Sequence, residues 1–504
     1  MVVSGIFCIW CFVACLDLRT AERPSFPSLS IYVYYIFIGT DCKRTIFLGK
    51  VRLAQRRFIC VDHGGHFVIC NSPAGYFLNM EMNKIKRTLV IELNEFNVRL
   101  LQQAAERFDL EHVKSVLSWS HCETHADHDK EHEGLDPWCQ WVSIHTEIPS
   151  AFHKVIRLGD VDKLQYTQIW ERLGKVGIST GVWGVMNARR NEAQLNHFFT
   201  TDPWNFTETP FPNTVAGFFA LPVYFSKNYM DLVFSRTVKA AVITLFSIFK
   251  QLPFSDLWRD FVFLLRQIPG SKLNTCFLFG AFELLSTRLF LKLRKKYNPD
   301  VCIVFLNLIA HFQHHDWKSV EKIDDSSRAV FSFLNRILGL LLADSENERV
   351  IVLNAFTQKN VSQEAFFCYR QINPLEFLKR IGLRPTRVEQ CMTNDGHAFF
   401  STTEECLHAA ACLREARVEG SAAFTIEIDE SQPTRLFYQF AFWGAADSET
   451  TLNIGNKSMP LLSEFALHAK RTGAHVPLGS AFYNNLKLPH STPNYEIFKY
   501  IWPR

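Results

Sequence analysis

The stretch "PDVCIVFLNLIAHFQHH", residues 299–315, decides how this chain is read. Val301–Leu306 is a continuous apolar run rich in β-branched residues, as a strand buried on both faces should be. Asn307 ends that run, and His311, His314 and His315 follow within eight residues. In open α/β sheets ligands gather outside the carboxyl ends of the strands. A lone histidine at such a place is usually a hydrogen-bonded structural group. Three in one turn ask for a second explanation. His314 and His315 are expected to open a helix, one lining a site and the other solvated.

Working outward, "TLVIEL" (88–93), "GISTGVWGVM" (177–186) and "RVIVLNAF" (349–356) repeat the same kind of run. Between them lie helical patterns at 98–117, 164–176 and 326–345. This alternation predicts an α/β fold, a three-layer α/β/α core with a mainly parallel sheet. It puts Asn94, the 307–315 cluster and the residues after Leu353 on one rim. Residues 203–298 break the pattern, being Phe-rich and helical, and Arg236, Lys239, Arg259 and Arg266 interrupt every stretch long enough to span a bilayer. They are expected to form a cap inserted between two parts of the core, 83–202 and 299–504.

Residues 1–82 read differently. The first eighty hold six of the fourteen cysteines, and after Met1 the next methionines are Met80 and Met82. "MVVSGIFCIWCFVACLDLR" has the apolar centre of a signal peptide but no basic residue ahead of it, and is too short for a membrane span. The expectation is a natural start at Met80 or Met82, with a non-native or poorly ordered extension before it.

Composition narrows the function classes. A net charge of +4 on 504 residues gives no basic excess of the kind that binds nucleic acid. There is no phosphate-cradling glycine loop with its lysine, no paired C-x-x-C and no nucleophile elbow. Cysteines from 122 onward are scattered, several in apolar runs, which fits a reducing, cytoplasmic setting. "HCETHADHDKEHEG" (121–134) carries His121, His125, His128 and His132, which can share a helical face and chelate a metal. The simpler reading is a solvated charged loop.

Four motifs, in order, resemble the alkaline phosphatase-like superfamily, and within it the type I phosphodiesterase/nucleotide pyrophosphatase branch. "NEFN" (94–97) after a strand looks like its D-G-x-x opening. "HTEIPSAFHKV" (145–155) is similar to T-G-L-x-P-x-x-H-G-I, keeping Thr146 and His153 but replacing both glycines by Glu147 and Lys154. "NLIAH" (307–311) matches the metal motif D-x-x-x-H with Asn at the aspartate position, and "TGAHVPLGSAFY" (472–483) resembles G-x-H-x-x-x-G. Thr146 and His153 are expected to be structural.

The resemblance implies a hydrolase of a small phosphate or sulfate ester with divalent metal, zinc above all. Its implied ligands here are Asn307, His311, His475 and Asn94, with Glu92, Glu95 and His397 as secondary candidates. Glu92 and Glu95 flank Asn94, and either could replace the missing carboxylate. The departures are severe. The nucleophile position falls on Pro137, leaving Asp136, Cys139 and Ser143 as the nearest polar groups, and Ala355 and Phe356 stand where an Asp-His metal pair belongs. A one-metal hydrolase and an inactive relative acting as a binding protein both remain open.

Overall fold

The computed structural model describes residues 58–61, 67–70 and 86–502, apart from 128–134, 192–194, 229–231, 269–273, 346, 365, 392–393 and 430–431. Two units are distinguished, 1–84 and 85–504. In the first, Phe58–Val61 and Phe67–Cys70 pair as an antiparallel hairpin. Met80 and Met82 lie outside the described residues.

The second unit is built on an eight-stranded sheet. Its strands are β1 (Thr88–Leu93), β2 (Ser120–His125), β3 (Thr180–Val185), β4 (Asn196–Thr201), β5 (Val301–Leu306), β6 (Arg349–Leu353), β7 (Leu478–Asn484) and β8 (Ser491–Pro493). The spatial order is β8-β2-β7-β6-β1-β5-β3-β4. β6, β1, β5, β3 and β4 run parallel in succession, and β7 is antiparallel to both its neighbours. The sheet is therefore mainly parallel, as the continuous apolar runs predict.

Those runs stay apolar because alternate side chains enter two different cores. Leu89, Ile91 and Leu93 of β1 pack with Cys302, Val304 and Leu306 against helices 98–108, 111–117 and 328–343. Val90, Ile303, Ile351 and Leu353 face the other way, onto Trp141, Ile144 and Trp170 from helices 137–146 and 169–175. Each fully buried Leu, Ile or Val contributes about 1.5–3 kcal/mol by removal from water. These two layers hold the sheet rigid, and with it the strand ends.

Residues 203–298 are largely helical, with helices 234–251, 254–267 and 275–297. They join the first core through Ile248, Phe277, Leu284 and Phe290. Within them, Asp260 ties helix 254–267 to helix 275–297 by a buried bidentate pair with Arg288, both contacts at 2.8 Å. Residues 325–343 are long and apolar enough to cross a membrane, but half of the stretch is buried in the core. Residues 366–471 add a third core, in which Tyr369, Phe377, Phe424 and Phe465 pack beneath antiparallel strands 387–390, 395–399, 435–440 and 424–428.

Candidate metal centre

The centre lies where β1 and β5 end. After Leu93 the chain turns through Asn94 and Glu95, and Glu95 has φ 54, a left-handed conformation that non-glycine residues seldom adopt. That turn leaves Glu95 almost wholly buried. Asn307 starts the helix Leu308–His315, whose first amides donate to Glu283 from helix 275–297. Burial pushes the Glu283 carboxyl up to about 8, against those two backbone donors. A two-stranded ribbon, 357–360 with 473–476, sets His475 directly opposite Gln358. Gly473 is required there, because a Cβ would fall 1.9 Å from Gln358 Oε1 and 2.7 Å from Gln313 O.

Three donors meet at this point. His314 Nε2 is 3.0 Å from Glu95 Oε2, His475 Nε2 is 3.2 Å from the same oxygen, and the two Nε2 atoms are 3.4 Å apart. Glu95 accepts from Asn94 Nδ2 at Oε1 (2.9 Å) and from Gln358 Nε2 at Oε2 (2.5 Å). His475 Nδ1 donates to Leu135 O at 2.7 Å, with Asp136 Oδ1 3.7 Å away. Burial alone would raise the Glu95 carboxyl, but the facing imidazoles outweigh it, through charge and hydrogen bonding with His475 first and then His314, and hold it well below its usual range. His475 is raised: burial opposes its charge, yet Glu95 prevails. His314 is lowered to about 4, chiefly by burial.

The donor set fits a transition metal. A tetrahedral ion with bonds of ~2.0–2.1 Å needs ligand atoms about 3.3 Å apart, and the observed edges span 3.0–3.4 Å. Two imidazoles and one carboxylate are a ligand set that zinc accepts with an open fourth position. The second carbonyl-oriented nitrogen of His475 is the outer contact that fixes a ligating ring.

The structure places the other expected residues as follows. Asn94 does not enter the cluster as a donor: it bridges Glu95 and Asn307 Oδ1 (2.8 Å) and accepts from Trp141 Nε1 at 2.9 Å. Among the described residues, Asn307 reaches the cluster through Asn94 alone. His311 faces Phe279 and His315, with ring centroids 5.1 and 4.7 Å away. His314 and His315, expected to open a helix, instead close Leu308–His315; His314 lines the site, while His315, half-buried beside His311, is not the solvated residue expected. Glu92 is committed to His145 at 2.7 Å in a wholly buried pair. His397 lies on strand 395–399, where Arg435 Nη2 is 3.0 Å away, and burial lowers it to about 3.

Of the nucleophile candidates, Asp136 alone reaches the cluster. It caps helix Pro137–Thr146, and burial pushes its carboxyl up against the pull of His475 and Arg157. Cys139 is buried, with a thiol raised by that burial. Ser143 belongs to a closed network described below. Phe356 packs its ring 4.7 Å from that of His475, and Ala355 is fully buried. Thr146 returns its hydroxyl to Val142 O at 2.7 Å. Glu147 and Lys154, where the resembled motif has glycines, keep glycine-like φ values of 58 and 57. Glu147 is then pinned by a bidentate pair with Arg172. His121 and His125 are on β2, where a charged loop was the simpler expectation; His128 and His132 lie outside the described residues.

No family model and no curated protein matches this chain. Among solved structures it is similar to phosphonoacetate hydrolase from Sinorhizobium meliloti 1021, with 12% identity, a TM-score of 0.40, and 89% of this chain and 99% of that one covered. It is also similar to human ectonucleotide pyrophosphatase/phosphodiesterase 5, with 9% identity, a TM-score of 0.39, and 82% and 93% covered.

Proposed function

We propose that this chain is a hydrolase of a small phosphate or sulfate ester that uses one divalent cation, held by Glu95, His314 and His475. The observation that carries the proposal is the triangle of donor atoms, with edges of 3.0, 3.2 and 3.4 Å. The ester class rests on the four motifs resembling the phosphodiesterase branch. A bound cation would supply a polarised water and a Lewis acid.

The chain's own residues do the rest. Asn94 and Gln358 fix the Glu95 carboxylate, and Leu135 O and Asp136 hold the His475 ring. Phe356 closes one side and keeps water from that face of the ring. A covalent route through a hydroxyl has no support, since Pro137 opens the helix where the nucleophile belongs. The eight cysteines from Cys122 to Cys412 are all free, which supports a reducing, cytoplasmic setting.

The test is metal content of the purified protein, followed by aryl phosphate monoesters, diesters and aryl sulfates. One ion per chain, lost in His314→Ala and His475→Ala, together with turnover of one ester class, is the expected result. The same ion without turnover of any ester would favour a second reading, an ester-binding protein that has lost catalysis. Ala355 and Phe356 favour that alternative, because they remove the donors of a second cation.

A further inference from the structure

Apolar side chains exposed singly need no explanation, but a contiguous run of them does. Nearly half of the large exposed apolar side chains fall between Phe225 and Leu278. On helix 254–267, Phe254 (74% exposed), Trp258 (55%) and Leu265 (47%) recur at the spacing of one face. The Phe254 and Trp258 rings stack, with centroids 6.5 Å apart. On helix 234–251, Val242, Phe246 (68%) and Phe249 form a second exposed run. The opposite sides of both helices are already used, by Ala240, Thr244, Ile248 and Asp260 in the interior.

Positive charge predominates around these runs. Residues 220–267 carry six Lys or Arg against three Asp. Asp256 is paired with Arg259, and Asp260 is buried against Arg288 and Arg336. Arg236, Lys239, Lys250 and Arg266 make no ion pair among the described residues, and all four are exposed. Arg236 and Lys239 precede the apolar run of helix 234–251, and Lys250 follows it.

We propose that helices 234–251 and 254–267 dock this protein on the surface of an anionic lipid bilayer, lying in its interface. An aromatic and aliphatic face rimmed by Lys and Arg is the composition that inserts among headgroups while its cations meet anionic lipid. Charge decides against a symmetric pairing of two copies, which would set these unpaired cations opposite their own kind. Neither helix spans: the longer has 18 residues and carries Arg236, Lys239 and Lys250.

The experiment is co-sedimentation of the full chain with vesicles of phosphatidylcholine, and with an equal mixture of phosphatidylcholine and phosphatidylserine. The wild type should pellet with the mixed vesicles, less as salt rises, and about tenfold less with phosphatidylcholine alone. Phe254→Ser/Trp258→Ser should lose vesicle binding while keeping the wild-type melting temperature, since both side chains are exposed. Lys239→Gln/Arg266→Gln should lose the preference for phosphatidylserine. Wild-type protein left in the supernatant with both vesicles would overturn the proposal, as would unchanged binding by the aromatic variant. A concentration-dependent dimer abolished by Phe254→Ser/Trp258→Ser, with no lipid binding, would assign the face to a second copy instead.

Discussion

Two histidine systems in this protein behave oppositely. In the first, His314 and His475 turn their Nε2 atoms toward one another and toward Glu95, leaving three donor atoms around a shared point. In the second, His153 accepts from the Val155 amide at Nδ1 (3.0 Å), so its proton is on Nε2 and is donated to Ser143 Oγ at 2.9 Å. The Ser143 hydroxyl is then free to donate to Asp127 at 3.4 Å, and Asp127 also accepts from Gln140 Nε2 at 2.6 Å and from the Ser150 amide. Every strong donor in the second system has an acceptor. A Ser, a His and an Asp within reach of each other are thus a structural clasp here, because the histidine leaves no lone pair facing the serine. Residue type does not separate the two systems; the direction of the lone pairs does.

The largest effect should come from breaking the first system at its centre. Glu95→Gln removes the only carboxylate of the set and keeps its shape. Zinc affinity, measured by competition with a chromophoric chelator, should fall by more than about 100-fold, beyond the 10–100-fold typical of outer contacts. Asp136→Asn, which alters only the setting of His475, should cost about tenfold by the same measure. Equal losses in the two variants would mean that Glu95 is not a ligand.

The next comparison runs along one helix. His311 and His314 are three residues apart, a rotation of about 300°, so their rings leave the axis about 60° apart. His314→Ala should abolish metal binding and His311→Ala should leave it within about threefold, in the range of neutral surface changes. The opposite outcome would restore the ligand set that the resembled motif implies, Asn307 with His311 and His475.

How much of this was legible in the chain itself varies with the physics. β1, β3, β5 and β6 were plain, because strands buried on both faces must be apolar at every position, as Leu89, Val90 and Ile91 are. Residues 366–471 gave no such signal: their strands are short and antiparallel, half-buried, and joined by turns. At the site, His475 came from its motif, Glu95 from its place after β1, and His314 from the histidine run. Their union was not readable. It depends on the left-handed turn at Glu95 and on the phase of a helix whose start is set by Asn307 and Glu283, both tertiary outcomes. The closed network was invisible for the same reason, since Asp127, Ser143 and His153 come from three separate elements.

The smallest expected effect concerns that network, and its pH dependence gives the sharpest check. Burial lowers His153 to about 4, against about 6.5 for an exposed histidine. A base whose folded value is depressed is bound neutral, so its contribution to stability is present in full above pH 6.5. It is lost as pH falls toward 4, because the unfolded chain takes up the proton first. At about 1.4 kcal/mol per unit, the loss from this one group is about 3 kcal/mol at most. His153→Gln keeps a side chain able to donate to Ser143 but cannot titrate. Its denaturant midpoint at pH 7.5 should be lower by about 1 kcal/mol in stability, the worth of one imperfect hydrogen bond. The gap between variant and wild type should then close and reverse as pH drops from 6.5 to 4.5, since only the wild type pays the protonation cost. Metal affinity at pH 7.5 should not change, as no atom of this network faces Glu95. A gap that stays constant with pH would show that His153 is not buried neutral, and a lost metal would show that the two histidine systems are one.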